Sequence, residues 1–204
     1  MDDKEMKNLL REAVGGPAEA EIAASRRNVE EWFMENAPTI KWDAVSSRVG
    51  TIYAAISEEG VCAVDFAVEE ADFLAELDPL ARIRREPEAV AEALRQLGEY
   101  FNGERKRFDL PVDLRQTTPF QRRALQLIRD IPVGRVWTYK QVAEKLGRPT
   151  ASRAVGQAMA HNPVPIIIPC HRVIATSGGL QGYGAGRGIE SKRMLLRFEG
   201  ALQG

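Results

Sequence analysis

The 204-residue sequence predicts an α+β protein, with a small antiparallel sheet and helices followed by a mostly helical C-terminal part. Two observations lead to this prediction. β-Branched residues flank a short turn at Ser57–Gly60, which favours a β-hairpin. Beyond residue 118, short apolar segments begin at threonines and end near glycines or prolines, which favours helices. We therefore expect a helical extension over residues 1–40, an α+β domain over 41–110 and a helical domain over 111–204.

The extension is predicted to hold two helices. Apolar side chains recur at helical spacing from Leu9 to Val14, and the break at Gly15–Pro17 ends that pattern. A second helix is expected from Pro17 to about Glu35, because the residue before Pro38 disfavours helical backbone.

The predicted hairpin pairs Val49–Ile56 with Val61–Val68. Cys62 lies in the second of these strands, where a small buried hydrophobic residue is the simpler interpretation.

Two helices and an extended link are predicted after the hairpin. The helices are Ala71–Leu77 and Glu88–Phe101. The link is Arg107–Leu114, in which Pro111 permits only an edge strand or a bend.

The C-terminal domain is predicted to contain a helix-turn-helix of winged-helix type, because only a few residues separate the predicted helices Tyr139–Leu146 and Ala151–Ala160. The predicted helices are Phe120–Asp130, capped by Thr118 and with Pro119 in its first turn; Tyr139–Leu146, capped by Thr138; and Ala151–Ala160. A further helix is expected over Ile189–Glu199.

The charge of the chain is divided between its halves. Residues 1–103 carry 11 Lys and Arg against 22 Asp and Glu, whereas residues 104–204 carry 17 against 7. A basic half is typical of a surface that meets a polyanion, because phosphates release counterions on contact. Ordinary solvation of helical surfaces is the alternative, and charge alone does not decide between them.

The composition is that of an ordinary globular protein, and no apolar run is long enough to span a bilayer. The first ten residues, MDDKEMKNLL, are charged and unlike a secretory signal. We therefore expect a cytoplasmic protein without membrane contact.

The two cysteines, Cys62 and Cys170, are expected to be free thiols in a reducing compartment, although a disulfide between them is possible. Together with His161 and His171 they could compose one zinc site, but paired CxxC or HxxxH spacing is absent. No metal and no cofactor is expected.

An apolar run, Val164–Ile174, is predicted to be extended and to deliver the pair Cys170-His171. The thiolate is the reactive form of cysteine, and an imidazole can take its proton. Adjacent side chains on an extended chain point in opposite directions, so direct contact between Cys170 and His171 does not follow from the sequence, and a bridging water is one way to connect them. A histidine base also needs an orienting acceptor, for which Glu199 is a candidate. Taken alone, a buried structural cysteine beside a satisfied histidine is equally common.

From about Leu97 onward the chain resembles the O6-alkylguanine-DNA alkyltransferases, a resemblance that the first 40 residues do not share. It rests on five segments in the same order, of which the block around PCHR is the most specific. They are TPFQ (Thr118–Gln121), IPVGRVWTY (Ile131–Tyr139), RAVGQAM (Arg153–Met159), NPVPIIIPCHRVI (Asn162–Ile174) and LLRFEG (Leu195–Gly200).

The resemblance implies a DNA-repair enzyme that moves an alkyl group from guanine O6 in double-stranded DNA onto its own Cys170. His171 would take the thiol proton through a water, and Glu199 would orient His171. The thioether is not a leaving group, so each molecule would act once. Asn162 would form the turn between the second helix of the helix-turn-helix (Ala151–Ala160, the recognition helix) and Cys170. A simple C-cap of that helix is compatible with this role.

The resemblance also implies that the damaged nucleotide is flipped out of the duplex. Tyr139 would crowd the neighbouring phosphate, and Arg153 would fill the vacated place in the base stack. Small residues of the recognition helix, among them Ala154 and Gly156, would allow a close approach to the minor groove. A monomer is expected to be sufficient.

The substrate pocket implied by the resemblance is formed by Met159, Pro165, Val173, Tyr183 and Gly184. The loop Gly182–Gly188 is longer than in typical members and rich in glycine. We expect it to be mobile and, as a hypothesis, to admit bulkier alkyl groups.

Three other functions are weighed against this one. A protein that recognises the lesion without reacting with it would lack the cysteine, which is present as Cys170. A helix-turn-helix transcription factor would leave PCHR unexplained. A cysteine hydrolase would need an oxyanion hole and would turn over.

Overall fold

The computed structural model describes residues 19–202, and its contacts divide the chain into two units between Pro38 and Thr39. The described part of the first unit contains helix α1, Glu19–Asn36, which confirms the second helix predicted for the extension. The helix predicted around Leu9–Val14 lies outside the described residues. Within the described part of the chain, no helix is long and apolar enough to cross a membrane.

The second unit begins with a four-stranded sheet in the order β3-β2-β1-β4. Strands β1, β2 and β3 are antiparallel neighbours, and β4 pairs in parallel with β1. The strands are β1 Thr39–Ser47, β2 Gly50–Ser57, β3 Gly60–Phe66 and β4 Arg82–Arg85. The predicted hairpin is confirmed as β2 and β3, whereas β1 and β4 were not predicted.

Neighbouring side chains of β2 point to opposite faces of the sheet, and a helix packs on each face. Helix α2, Glu70–Ala75, covers one face, where Tyr53 stacks on Phe73 with ring centroids 5.0 Å apart. Helix α3, Pro87–Phe101, belongs to the core on the other face, where Phe66 packs on Phe101.

The link between the sheet and the C-terminal helices runs beside β3, as its predicted extended form requires. The amide of Val61 donates to the carbonyl of Pro111 at 2.9 Å, and the amide of Asp113 donates to the carbonyl of Val61 at 2.9 Å. Gly60 must be glycine here, since a Cβ would lie 2.5 Å from the Pro111 carbonyl oxygen. Residues 39–204 form one unit, and the domain boundary proposed near residue 110 stays a prediction.

The C-terminal region contains the predicted helices, with capping at two of them. Thr118 accepts a hydrogen bond from the Gln121 amide, and Thr138 forms a capping box with Gln141. Helices α5 and α6 pack together as a helix-turn-helix. The elements are α4 Pro119–Ile128, β5 Trp137–Thr138, α5 Tyr139–Lys145, α6 Ser152–Ala160, β6 Val173–Ile174 and α7 Ile189–Phe198.

The predicted extended run before Cys170 is wrong. Residues 164–168 form a tight turn, closed by a 3.0 Å hydrogen bond from the Ile168 amide to the Val164 carbonyl, with Ile166 at φ +74°. A 3-10 helix, Cys170–Arg172, follows. The β-branched residues favour a strand locally, but Pro165 and Pro169 lack the amide hydrogens that a strand ladder needs.

Candidate active site

Cys170 lies at the start of the 3-10 helix with only 1% of its surface exposed. The Asn162 side-chain amide donates to its sulfur at 3.1 Å and to the Ile168 carbonyl at 2.8 Å. The Asn162 side-chain oxygen accepts from the Val164 amide at 3.2 Å. One asparagine therefore fixes both the turn and the position of the thiol.

The Cys170 thiol is protonated at neutral pH. Burial raises its pKa to about 11, although the hydrogen bond from Asn162 and the positive charge of Lys192 act in the opposite direction. A base must therefore take the proton when the sulfur reacts.

His171 directly follows Cys170 and is fully buried. Burial lowers its pKa, against the raising effect of Glu199, so the imidazole is neutral at neutral pH. Nε2 lies 3.0 Å from Oε1 of Glu199, which only accepts when ionised, so we assign the imidazole proton to Nε2. Nδ1 then carries the free lone pair, and it has no hydrogen-bond partner within residues 19–202.

Glu199 follows the last turn of α7 and is held by two further side chains. Arg172 donates to both carboxylate oxygens, at 2.9 and 2.7 Å, and the Tyr100 hydroxyl donates to Oε1 at 2.7 Å. Burial opposes ionisation of Glu199, but the hydrogen bonds from His171 and Arg172 outweigh it and lower the pKa to about 2. The carboxylate is therefore a fixed anion behind the imidazole.

Lys192 is a buried cation in the same region. Its Nζ donates to the carbonyls of Val173 and Gln181, at 2.6 and 2.5 Å, and lies 3.2 Å from the Tyr139 hydroxyl. Burial lowers its pKa to about 8, against the effect of Cys170, so most of the charge persists at neutral pH. Tyr139 is buried, and its hydroxyl also donates to the Gln181 carbonyl.

The predicted pocket residues differ in exposure. Met159, Pro165, Val173 and Tyr183 are buried, whereas Gly184 is exposed. The Tyr183 hydroxyl is buried without a partner in the described part of the chain. Gly184 packs tightly on the end of α6, because a Cβ there would lie 2.3 Å from the Ala160 carbonyl oxygen.

Helix α6 separates into two faces. Val155, Ala158 and Met159 are buried, whereas Arg153 and Ala154 are exposed. The structure therefore brings Cys170, His171, Glu199 and Asn162 into one cluster, and it leaves Arg153 and Ala154 on the outer surface of the recognition helix.

Three residues of the site were not assigned roles from the sequence: Arg172, Tyr100 and Lys192. The position of Arg172 directly after the Cys-His pair was an available signal. Tyr100 had none, since 99 positions separate it from Glu199.

Neither cysteine is paired, and among the described residues no group of His, Cys, Asp or Glu is arranged to hold a metal ion. Cys62 is half-buried, its thiol donates to the Ala55 carbonyl at 3.5 Å, and burial raises its pKa to about 11. Unlike Cys170, it is followed by an alanine and not by a histidine. His161 is exposed and contacts the Gln157 carbonyl.

Fold and site together define a class: a protein with a buried cysteine thiol next to a buried, neutral histidine, on a helix-turn-helix domain. Two domain families match this chain. The ribonuclease-like domain of 6-O-methylguanine DNA methyltransferase matches residues 40–114, and the DNA-binding domain of the same protein matches residues 119–201. The chain belongs to the 6-O-methylguanine DNA methyltransferase family.

Individual relatives agree with this assignment. A methylated-DNA–protein-cysteine methyltransferase of Methanosarcina acetivorans is 39% identical over 160 residues, covering 76% of this chain and 95% of the relative. One from Mycolicibacterium paratuberculosis is 49% identical over 113 residues, covering 55% and 67%. The crystal structure of Mycobacterium tuberculosis OGT in complex with DNA aligns with TM-score 0.68 at 37% identity, covering 79% and 93%.

Proposed function

We propose that Cys170 receives the alkyl group of O6-alkylguanine in double-stranded DNA, once per molecule. Membership of the family establishes the general activity, which is DNA repair by alkyl transfer to a cysteine of the protein. One observation supports the choice of Cys170: the buried thiol directly precedes a neutral histidine whose Nδ1 has no other partner in the described chain.

The transfer begins with loss of the thiol proton to Nδ1 of His171 through one bridging water. The sulfur attacks the alkyl carbon, an S–C bond forms, and the C–O6 bond breaks. The electron pair of the C–O6 bond stays on guanine, and the guanine ring gains a proton. The proton lost by the thiol therefore balances the proton gained by guanine. The Glu199 carboxylate stabilises the imidazolium that forms in between.

The hydrogen bond from Asn162 stabilises negative charge as it develops on the sulfur. Lys192 adds a fixed positive charge nearby. Both groups favour the thiolate, which burial disfavours, and they do so without solvent access to the sulfur.

DNA is proposed to bind along the exposed face of α6. Arg153 is exposed on that face, which suits insertion into the base stack, and the small residues Ala154 and Gly156 allow DNA to approach the helix closely. Tyr139 is buried and its hydroxyl is bound to the Gln181 carbonyl, so its ring rather than its hydroxyl would crowd a phosphate.

The flipped base is proposed to enter beside Met159, Pro165, Val173 and Tyr183. The unpartnered Tyr183 hydroxyl is available to hydrogen-bond to the purine, because a buried hydroxyl without a partner is otherwise costly. We expect a single copy of the chain to act, since all proposed groups lie within residues 139–199.

Intact-protein mass tests the proposal. The protein is mixed with excess duplex DNA containing O6-methylguanine, and its mass should rise by one methyl group and then stop, with the label on the Cys170 peptide. Cys170→Ser should bind the DNA but gain no mass, and Cys62→Ser should behave like the unaltered protein. Turnover without retained label would indicate a hydrolase, and binding without transfer would indicate a lesion sensor; either result refutes the proposal.

A further inference from the structure

Strand β3 contacts both chain segments that flank the active-site cysteine. The amide of Val64 donates to the carbonyl of Pro163 at 2.9 Å, next to Asn162. The neighbouring carboxylate, Asp65, accepts from the amide of Gly186 at 2.7 Å, within the loop that follows Tyr183. Two consecutive residues of β3 therefore hold the segment that precedes Cys170 and the loop that follows Tyr183, which border the proposed pocket.

Within the described residues, the Asp65 carboxylate accepts hydrogen bonds only from backbone amides. Its Oδ1 accepts both the Gly186 amide and the Phe66 amide, each at 2.7 Å. Within residues 19–202 no cation lies within ion-pair distance of it, and burial raises its pKa. A half-buried carboxylate without a cation is costly, so ordinary surface solvation does not account for it.

The loop that Asp65 holds is closely packed at two points. At Gly186, φ is +56° and a Cβ would lie 2.5 Å from the Ser191 hydroxyl oxygen and 3.0 Å from the Phe66 carbonyl oxygen. At Gly184, a Cβ would overlap the Ala160 carbonyl of α6. The loop is thus fitted between β3 and the recognition helix, with the buried Tyr183 at its start.

The close packing bears on Cys170 through Tyr183. Both side chains are buried in the same hydrophobic core cluster. Burial raises the pKa of Tyr183, and a negative charge on Cys170 raises it further. A shift of the loop at Gly186 would move Tyr183 and change the space beside the sulfur, where an alkyl group must fit.

We propose that Asp65 is a positioning residue for alkyl transfer, which fixes the loop Gly182–Gly188 and thereby limits the size of the alkyl group accepted. The inference rests on the proposed function of Cys170. The proposal also revises the expectation that the glycine-rich loop is mobile and admits bulkier alkyl groups. Asp65 binds the loop to the sheet, and discrimination among alkyl groups depends on that contact.

The test compares single-turnover rate constants for duplexes containing O6-methylguanine and O6-benzylguanine. In Asp65→Ala, methyl transfer should slow by about tenfold, the order expected for a small misplacement of the reacting groups. Benzyl transfer should slow less, so the methyl-to-benzyl ratio should fall. Amide hydrogen exchange should accelerate in peptides covering residues 182–188.

Two matched variants separate this role from general destabilisation. Asp65→Asn keeps a side-chain oxygen that can accept both amides, so it should retain the ratio of the unaltered protein. Asp43→Ala removes a carboxylate of the same sheet that binds Arg85, and should change neither the ratio nor exchange in the loop.

A methyl-to-benzyl ratio in Asp65→Ala equal to that of the unaltered protein would overturn the inference, and so would an equal fall in Asp43→Ala. Either outcome would leave transfer to Cys170 intact in the unaltered protein, so the proposed function would stand. Absence of any transfer in the unaltered protein would overturn both.

Discussion

Nε2 of His171 and Oε1 of Glu199 lie 3.0 Å apart, and both side chains are buried. Arg172 binds the same carboxylate, so one anion serves a neutral imidazole and a permanent cation at once. The ion pair places a fixed negative charge behind the imidazole, and removal of that charge should affect stability and reactivity together.

Glu199→Gln should lower the free energy of unfolding at neutral pH by about 3–5 kcal/mol, because Arg172 is left buried without a counter-ion. Alkyl transfer should also slow, since an amide stabilises the imidazolium less. Urea denaturation and single-turnover kinetics measure the two effects.

The stability difference should depend on pH in a defined direction. The pKa of Glu199 falls from 4.5 to about 2 on folding, so its stabilisation is complete above about pH 4.5 and disappears as the pH falls towards 2. The free energies of the unaltered protein and of Glu199→Gln should therefore converge over that range. A difference that stays constant from pH 7 to pH 3 would contradict the assignment.

Tyr183→Phe should separate stability from activity. The hydroxyl that it removes is buried and unpartnered in the described chain, so the free energy of unfolding should stay the same or rise by up to about 1 kcal/mol. Transfer should slow, because the purine loses a hydrogen-bond partner.

The matched control is Tyr100→Phe, which removes a hydroxyl that donates to Glu199. This variant should lose about 2 kcal/mol of stability, the usual range for a hydrogen bond to a charged group. If Tyr183→Phe were destabilised to the same extent, its hydroxyl would be a structural group and the proposed contact with the purine would be wrong.

Local signals predicted the helices of the C-terminal region well. Thr118 and Thr138 accept hydrogen bonds from amides three residues ahead, an arrangement that depends on neighbouring sequence alone. Strand β4 gave no such signal: only Ile83 in RIRR is apolar, and the segment is a strand because it pairs with β1.

The site was predictable to a different degree. The pairing of Glu199 with His171 follows from the need of a histidine base for an acceptor, together with the family resemblance. The contacts of Tyr100 and Asp65 join residues about 100 positions apart, and nothing in the local pattern marks either residue. The segment before Cys170 is predicted to be extended because its β-branched residues favour a strand. Pro165 and Pro169 cannot donate to a strand ladder, and the segment forms a turn instead.

Gly156→Ala should strengthen the fold and weaken DNA binding. A Cβ at this position meets no atom within 4 Å, so alanine fits without strain and should add about 0.5–1 kcal/mol of helix stability. Gly156 is half-buried beside the exposed face of α6, and the same methyl group there would hinder close approach to the minor groove. Thermal unfolding and titration with duplex DNA measure the two effects.

Gly98→Ala provides the control, because Gly98 also lies within a helix, α3, and also has no atom within 4 Å of a Cβ. It should gain similar stability and bind DNA unchanged. Equal loss of DNA binding in both variants would contradict the placement of DNA on α6.

Arg153→Ala should slow repair of duplex DNA by roughly a hundredfold, while reaction with the free base O6-benzylguanine stays within about twofold. Arg153 is exposed on α6 and outside the cluster around Cys170, so its loss leaves the chemistry intact but removes the group proposed to hold the nucleotide outside the stack. Arg197→Ala, an exposed change on α7, should affect neither rate. An equal fall in both reactions of Arg153→Ala would place Arg153 in the pocket and refute its role in flipping.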